Sequence, residues 1–134
     1  MNLAQRIILL WRRFSPLEER LLAAVREVLP AAAVPVFDAQ VAAVTLVQRH
    51  PHEICFYRRR HGKVDWSGVP TFPRTGEFPL AEVRFPVAGR GYKATLSSIS
   101  GHFFDFSVTA NTRKVAFKEL DSRNTLNCRR PHAH

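Results

Sequence analysis

Two runs in the second half of the chain alternate apolar and polar residues with a period of two. Val83, Phe85 and Val87 are interleaved with Glu82, Arg84 and Pro86, and Tyr92, Ala94 and Leu96 with Lys93, Thr95 and Ser97. Successive side chains of a strand point to opposite faces, so runs of this kind fold as strands with one buried side. Gly89-Arg90 between them suits a two-residue turn whose first position is left-handed. That turn pairs Val87 with Tyr92, Phe85 with Ala94 and Val83 with Leu96, with every apolar residue on one face. A three-residue loop at Ser100-Gly101-His102 then sets Leu96 opposite Phe106 and Ala94 opposite Val108, and brings Phe104 to the same face. The alternative, a two-residue loop at Gly101-His102, faces Ile99 to Phe104. A turn at Asn111-Thr112 pairs Val108 with Val115 and Phe106 with Phe117. The stretch from Ala81 to Phe117 is thus expected to present one apolar sheet face, which needs a cover.

The first third of the chain offers helices for that cover. Ser15 is a suitable N-cap, Pro16 suits the first helical position, and Glu18 stands three residues after the cap, as a capping box requires. Leu17, Leu21, Ala24, Val25 and Val28 then form one stripe, Pro30 ends the helix, and the charges are expected on its solvated outer side. A second helix is expected from about Val34 to Ala43, running into a strand at about Val44 to Arg49. Leu3, Ile7, Leu10, Trp11 and Phe14 also have helical spacing. That stripe is expected to dock on the domain's own sheet or on a second copy of the chain. An anionic membrane surface is the less favoured partner of residues 1–14.

Between these parts lies a basic hairpin. Ile54 to Arg60 reads as a strand, and His61-Gly62 as a two-residue turn that pairs Arg58 with Asp65 and Tyr57 with Trp66. Arg58, Arg59, Arg60 and Lys63 make the densest basic patch in the chain, with Tyr57 and Trp66 beside it. This is the candidate binding surface, and its competing reading is an edge hairpin charged against aggregation. Residues 67–79 carry Gly68, Pro70, Pro73, Gly76 and Pro79, and are expected to form an irregular loop that packs as a cover.

The formal net charge of +9 over 134 residues predicts attraction to acidic surfaces. Cys55 and Cys128 stand far apart, which gives neither a disulfide framework nor a zinc-finger spacing. His50, His52 and Glu53 lie close in sequence but lack the spaced partners of a metal motif, so no metal and no cofactor are expected. There is no P-loop, dinucleotide fingerprint, H-E-x-x-H or nucleophile elbow, which argues against an enzyme. Asp105 is expected on the sheet face away from the core, beside Phe103 and near His102. If that face is covered, the two residues become candidates for a pocket.

The reading is an α+β fold in residues 1–118, with two to three N-terminal helices packed on one face of an antiparallel meander of about six strands. Residues 119–134 are expected to be a mobile basic tail. The chain is read as a cytoplasmic, non-enzymatic binding module for an acidic protein. Nucleic-acid binding through the same hairpin and tail is the first alternative. A small-molecule or catalytic pocket between helices and sheet is the second.

Overall fold

A computed structural model describes residues 14–87, 89–111 and 127–129. Helix α1 spans Pro16–Val28 and starts with the expected reciprocal cap. The Glu18 amide donates to Ser15 Oγ at 3.2 Å, and the Ser15 amide donates to Glu18 Oε1 at 2.8 Å. Leu17, Leu21 and Val25 on its stripe are buried. A single 3-10 turn, Ala31–Ala33, leads into α2, Val34–Ala43. Glu18 departs from the expected outward placement of the helix charges, because it is buried and paired with Arg49. The leading helix expected over residues 1–14 falls outside the described residues, except for Phe14. That residue is buried, with its ring 5.8 Å from Phe56.

Among the described residues, six strands form one antiparallel sheet in the order β1-β2-β7-β6-β5-β8. They are β1 (Leu46–His50), β2 (Glu53–Tyr57), β5 (Glu77–Val87), β6 (Arg90–Ile99), β7 (His102–Val108) and β8 (Asn127–Arg129). Strands β3 (Arg59–Arg60) and β4 (Lys63–Val64) form a separate two-stranded hairpin. The meander runs through β5, β6 and β7, and the β1–β2 hairpin joins it along the free side of β7. With α1 over β5 and β8 and α2 over β7, the architecture is α+β, with two helices among the described residues packed on the sheet.

The alternation holds, while the turns differ from those expected. Val87 pairs with Arg90, Phe85 with Tyr92, Val83 with Ala94 and Ala81 with Leu96. Gly89, at φ 77°, therefore comes last in its turn, and the register moves by two residues. A shift of two keeps every side chain on its face, so Ala81, Val83, Phe85, Ala94 and Leu96 are all buried.

At the next turn Ser100 and Gly101 both have positive φ, 53° and 87°, and Ile99 pairs with His102 across a two-residue loop. The expected pairs Leu96–Phe106 and Ala94–Val108 nevertheless form. A bulge restores the count: the register steps from Ser98–Phe103 to Ser97–Asp105 and leaves Phe104 as the extra residue. Phe103 consequently enters the core with Phe106, and Phe104 is only half-buried.

The expected third hairpin is not available at Phe106, whose two neighbours are Leu96 and Ile54. Val115 and Phe117 lie outside the described residues. Part of the expected tail is a strand: Cys128 pairs with Val83, is half-buried and packs on the core. Residues 77–79, expected in the loop, open β5, where Pro79 pairs with Ser97 and a bulge follows before Ala81. The strand expected from Ile54 to Arg60 breaks at Arg58.

The space between helices and sheet is filled with aromatic rings. Phe103 lies 5.5 Å from Phe37 and 5.2 Å from Phe56, and Phe56 lies 5.8 Å from Phe106. Each such side chain gains roughly 1.5–3 kcal/mol from burial. One polar group sits among them. Gln40 of α2 donates through Nε2 to the carbonyls of Pro70 and Gly101, both at 2.9 Å, and its Oε1 accepts from the Phe103 amide at 3.0 Å. It thereby ties the helix, the loop after β4 and the β6–β7 turn together.

Candidate functional site

The basic hairpin has the expected register. Arg59 pairs with Val64 and Arg60 with Lys63, and the Asp65 amide donates to the Arg58 carbonyl at 2.8 Å. His61 and Gly62 form its turn with φ of 52° and 77°. Arg58 forms no close ion pair with the Asp65 carboxylate, although its charge is near enough to act on it. Its Nη1 instead donates to the carbonyls of Asp65 and Ser67, at 2.8 and 2.9 Å, which anchors the base of the hairpin. The Asp65 carboxylate accepts from the Ser67 hydroxyl and amide, and these bonds, with Arg58 and Arg60 nearby, hold its pKa below the ordinary carboxylate value.

Trp66 turns away from the tip. Its ring stacks on His102 at 4.4 Å and meets the edge of Phe103 at 6.3 Å. Burial lowers the His102 pKa, against the pull of the Phe103 carbonyl, which its Nδ1 meets at 3.3 Å. Tyr57 lies on β2, opposite Leu46. Arg59 Nη2 donates to the Gly62 carbonyl at 3.1 Å, while its main chain is held by Thr45 Oγ1 at 2.7 Å. The six expected binding residues therefore divide. Arg59, Arg60 and Lys63 form an exposed basic tip with Val64, which is 56% exposed, Arg58 and Trp66 are half-buried at its base, and the half-buried Tyr57 sits instead by Cys55, whose thiol its hydroxyl meets in a hydrogen bond. Among the described residues no carboxylate forms an ion pair with Arg59, Arg60 or Lys63.

A second cluster lies on the sheet face turned away from the helices. Outward positions of β1, β2 and β7 meet there: His50 opposite Glu53, Gln48 opposite Cys55, and Cys55 opposite Asp105. Cys55 and Asp105 are buried even so. The Cys55 thiol donates to Glu53 Oε1 at 2.8 Å. One ligand atom each from His50, Glu53 and Cys55 can be chosen so that all lie within 4.8 Å of one another. Burial, then the Glu53 carboxylate, push the Asp105 carboxyl up to about 7. Burial and the same carboxylate raise the Cys55 thiol to about 12. Asp105 Oδ1 has no hydrogen-bond partner among the described residues.

Asp105 thus occupies the expected outer face and is buried there, but its neighbours are Glu53 and Cys55 instead of His102. The bulge at Phe104 sends Phe103, the expected companion of Asp105, to the other side of the sheet. His52 turns away as well: its Nδ1 lies 3.2 and 3.1 Å from the carbonyls of Val108 and Ala110. Sequence reasoning paired His50 with His52 and missed Cys55. The available signal was parity, since Glu53 and Cys55 share a strand face and a two-residue turn at Pro51-His52 sets His50 opposite Glu53.

Glu82, further along the same face, has its Oε1 3.3 Å from Arg84 and 3.6 Å from Arg129, close enough for charge pairing without a formed hydrogen bond. Among the described residues no helix is long and apolar enough to cross a membrane. Comparison with protein-family models, curated proteins and solved structures returned no match.

Proposed function

We propose that this chain is a small basic binding module that docks an acidic protein surface through the tip of the β3–β4 hairpin. The observation that carries this reading is the division of labour among the arginines. Arg58 holds the base of the hairpin by main-chain carbonyls, while Arg59, Arg60 and Lys63 stand exposed beside Val64, without carboxylate partners among the described residues. Exposed cations around an exposed apolar side chain favour an acidic partner with an apolar contact at its centre. The aromatic stacking that would favour single-stranded nucleic acid is weakened, because Trp66 is already stacked on His102.

The test compares the full chain with an Arg59→Ala, Arg60→Ala, Lys63→Ala variant that leaves Arg58 in place. Binding to a fluorescent glutamate-rich peptide and to single- and double-stranded oligonucleotides is followed by anisotropy across a salt series. Loss of peptide affinity by roughly tenfold or more at low salt is expected, with thermal unfolding unchanged. Equal peptide binding by both proteins would remove the proposal. Tighter retention of oligonucleotides, with a steep log-linear salt slope, would transfer the hairpin to the nucleic-acid reading.

A further inference from the structure

We propose that His50, Glu53 and Cys55 form a site for a divalent transition-metal ion of the zinc type on the outer face of the sheet, with Asp105 as its supporting carboxylate. The hairpin β1–β2 builds the site by register alone. His50 and Glu53 are directly paired, and Cys55 is the next outward position along β2. Their ligand atoms lie within 4.8 Å of one another. A tetrahedral ion with bonds of about 2.0–2.3 Å spaces its ligands roughly 3.3–3.8 Å apart, so side-chain adjustment closes the set without moving a strand. A thiolate, an imidazole and a carboxylate are the donors that zinc takes, whereas magnesium and calcium prefer oxygen alone. Three protein ligands leave a fourth position for water or for a further donor.

Asp105 is the independent observation. It lies directly across from Cys55, is 4% exposed, and has an oxygen with no hydrogen-bond partner among the described residues. Its carboxyl reaches that of Glu53, acid against acid, and no arginine or lysine forms an ion pair with either among the described residues. A buried carboxylate facing a second carboxylate and a thiol is costly unless the positive charge of a proton or a cation joins them. A divalent cation supplies that charge. On binding, the Cys55 sulfur forms its bond to the metal and releases its proton to solvent, and Glu53 exchanges the thiol hydrogen bond for a metal bond. No electron transfer is involved.

The experiment titrates the full, reduced, chelator-treated chain with cobalt chloride, and then displaces the cobalt with zinc chloride. The expected result is about one cobalt per chain, with a thiolate-to-cobalt charge-transfer band and visible bands of tetrahedral type. Cys55→Ser should abolish the charge-transfer band. His50→Ala, at an exposed position that leaves the core intact, should weaken binding roughly tenfold or more. Cys128→Ser and a His132→Ala, His134→Ala variant should leave the spectrum unchanged. The proposal is overturned if the folded chain gives no thiolate band. It is equally overturned if the band survives Cys55→Ser, follows Cys128, or is indifferent to His50→Ala.

Discussion

Glu18 and Arg49 meet as a bidentate ion pair, Nε to Oε2 at 2.6 Å and Nη2 to Oε1 at 2.7 Å, with the Glu18 side chain wholly buried and that of Arg49 19% exposed. The same carboxylate accepts from the Ser15 amide, so one side chain starts α1 and fastens it to β1. Removing one partner of a buried pair leaves the other charge uncompensated, at about 3–5 kcal/mol. The partial exposure of Arg49 reduces this. Glu18→Ala is expected to cost roughly 2–4 kcal/mol in urea unfolding, and Arg49→Met at least as much, because it strands the wholly buried Glu18 carboxylate whereas Glu18→Ala strands a partly exposed guanidinium. Equal stability of Glu18→Ala and the parent would show that the pair contributes nothing.

Gly101 and Gly62 separate two reasons for a glycine. Both have positive φ, 87° and 77°. A Cβ at Gly101 would lie 2.8 Å from Thr71 Cβ and 3.1 Å from the Phe72 carbonyl oxygen, whereas one at Gly62 meets nothing within 4 Å. Gly62→Ala should therefore cost about 1 kcal/mol, from backbone conformation alone. Gly101→Ala must also push the loop off the turn, where the Phe72 amide donates to the Gly101 carbonyl at 2.6 Å. A loss of roughly 2–4 kcal/mol is expected for it. Thermal melts of the two variants side by side decide the point, and equal shifts would contradict the contact.

Asp105 ties stability to pH in the metal-free protein. Its ordinary value of 3.8 is raised to about 7 by burial and by Glu53. Between those values the folded chain holds a proton that the unfolded chain has released, so stability falls as pH rises through that window and levels off above it. Asp105→Asn should remove this slope and should stabilise the chain at pH 8 relative to the parent by roughly 2–4 kcal/mol. Urea unfolding from pH 4 to pH 8 in the presence of a chelator measures it. A parent and a variant with parallel pH profiles would place the carboxyl's titration elsewhere.

What the chain made legible was parity, and what it hid was distance. The faces of Val83, Phe85, Ala94 and Leu96 follow from period two and survive a two-residue slip of the turn, because an even shift is invisible to the pattern. Phe103 and Phe104 exchange places because a bulge is an odd shift, and nothing in Phe103-Phe104-Asp105-Phe106 announces one. The Ser15 cap was readable because its partners are three residues apart. Burial of Glu18 depends on Arg49, and that of Gln40 on Pro70, Gly101 and Phe103, all brought close only by the fold. The outer cluster hid for the same reason, since Cys55 and Asp105 are neighbours through the β2–β7 pairing alone.

The seat of β8 on β5 governs how copies of this chain can line up. Glu82, Val83 and Arg84 are taken by Arg129, Cys128 and Asn127, and the occupied stretch is bracketed by Pro79 and Pro86, which bring no N–H to a ladder. A foreign strand arriving on that side would find its berth on β5 filled and would meet the three-residue β8 instead, a short border for templated growth. Among the described residues the opposite border is the five-residue β1, so the two borders of the sheet differ in the length of chain they present to a neighbour.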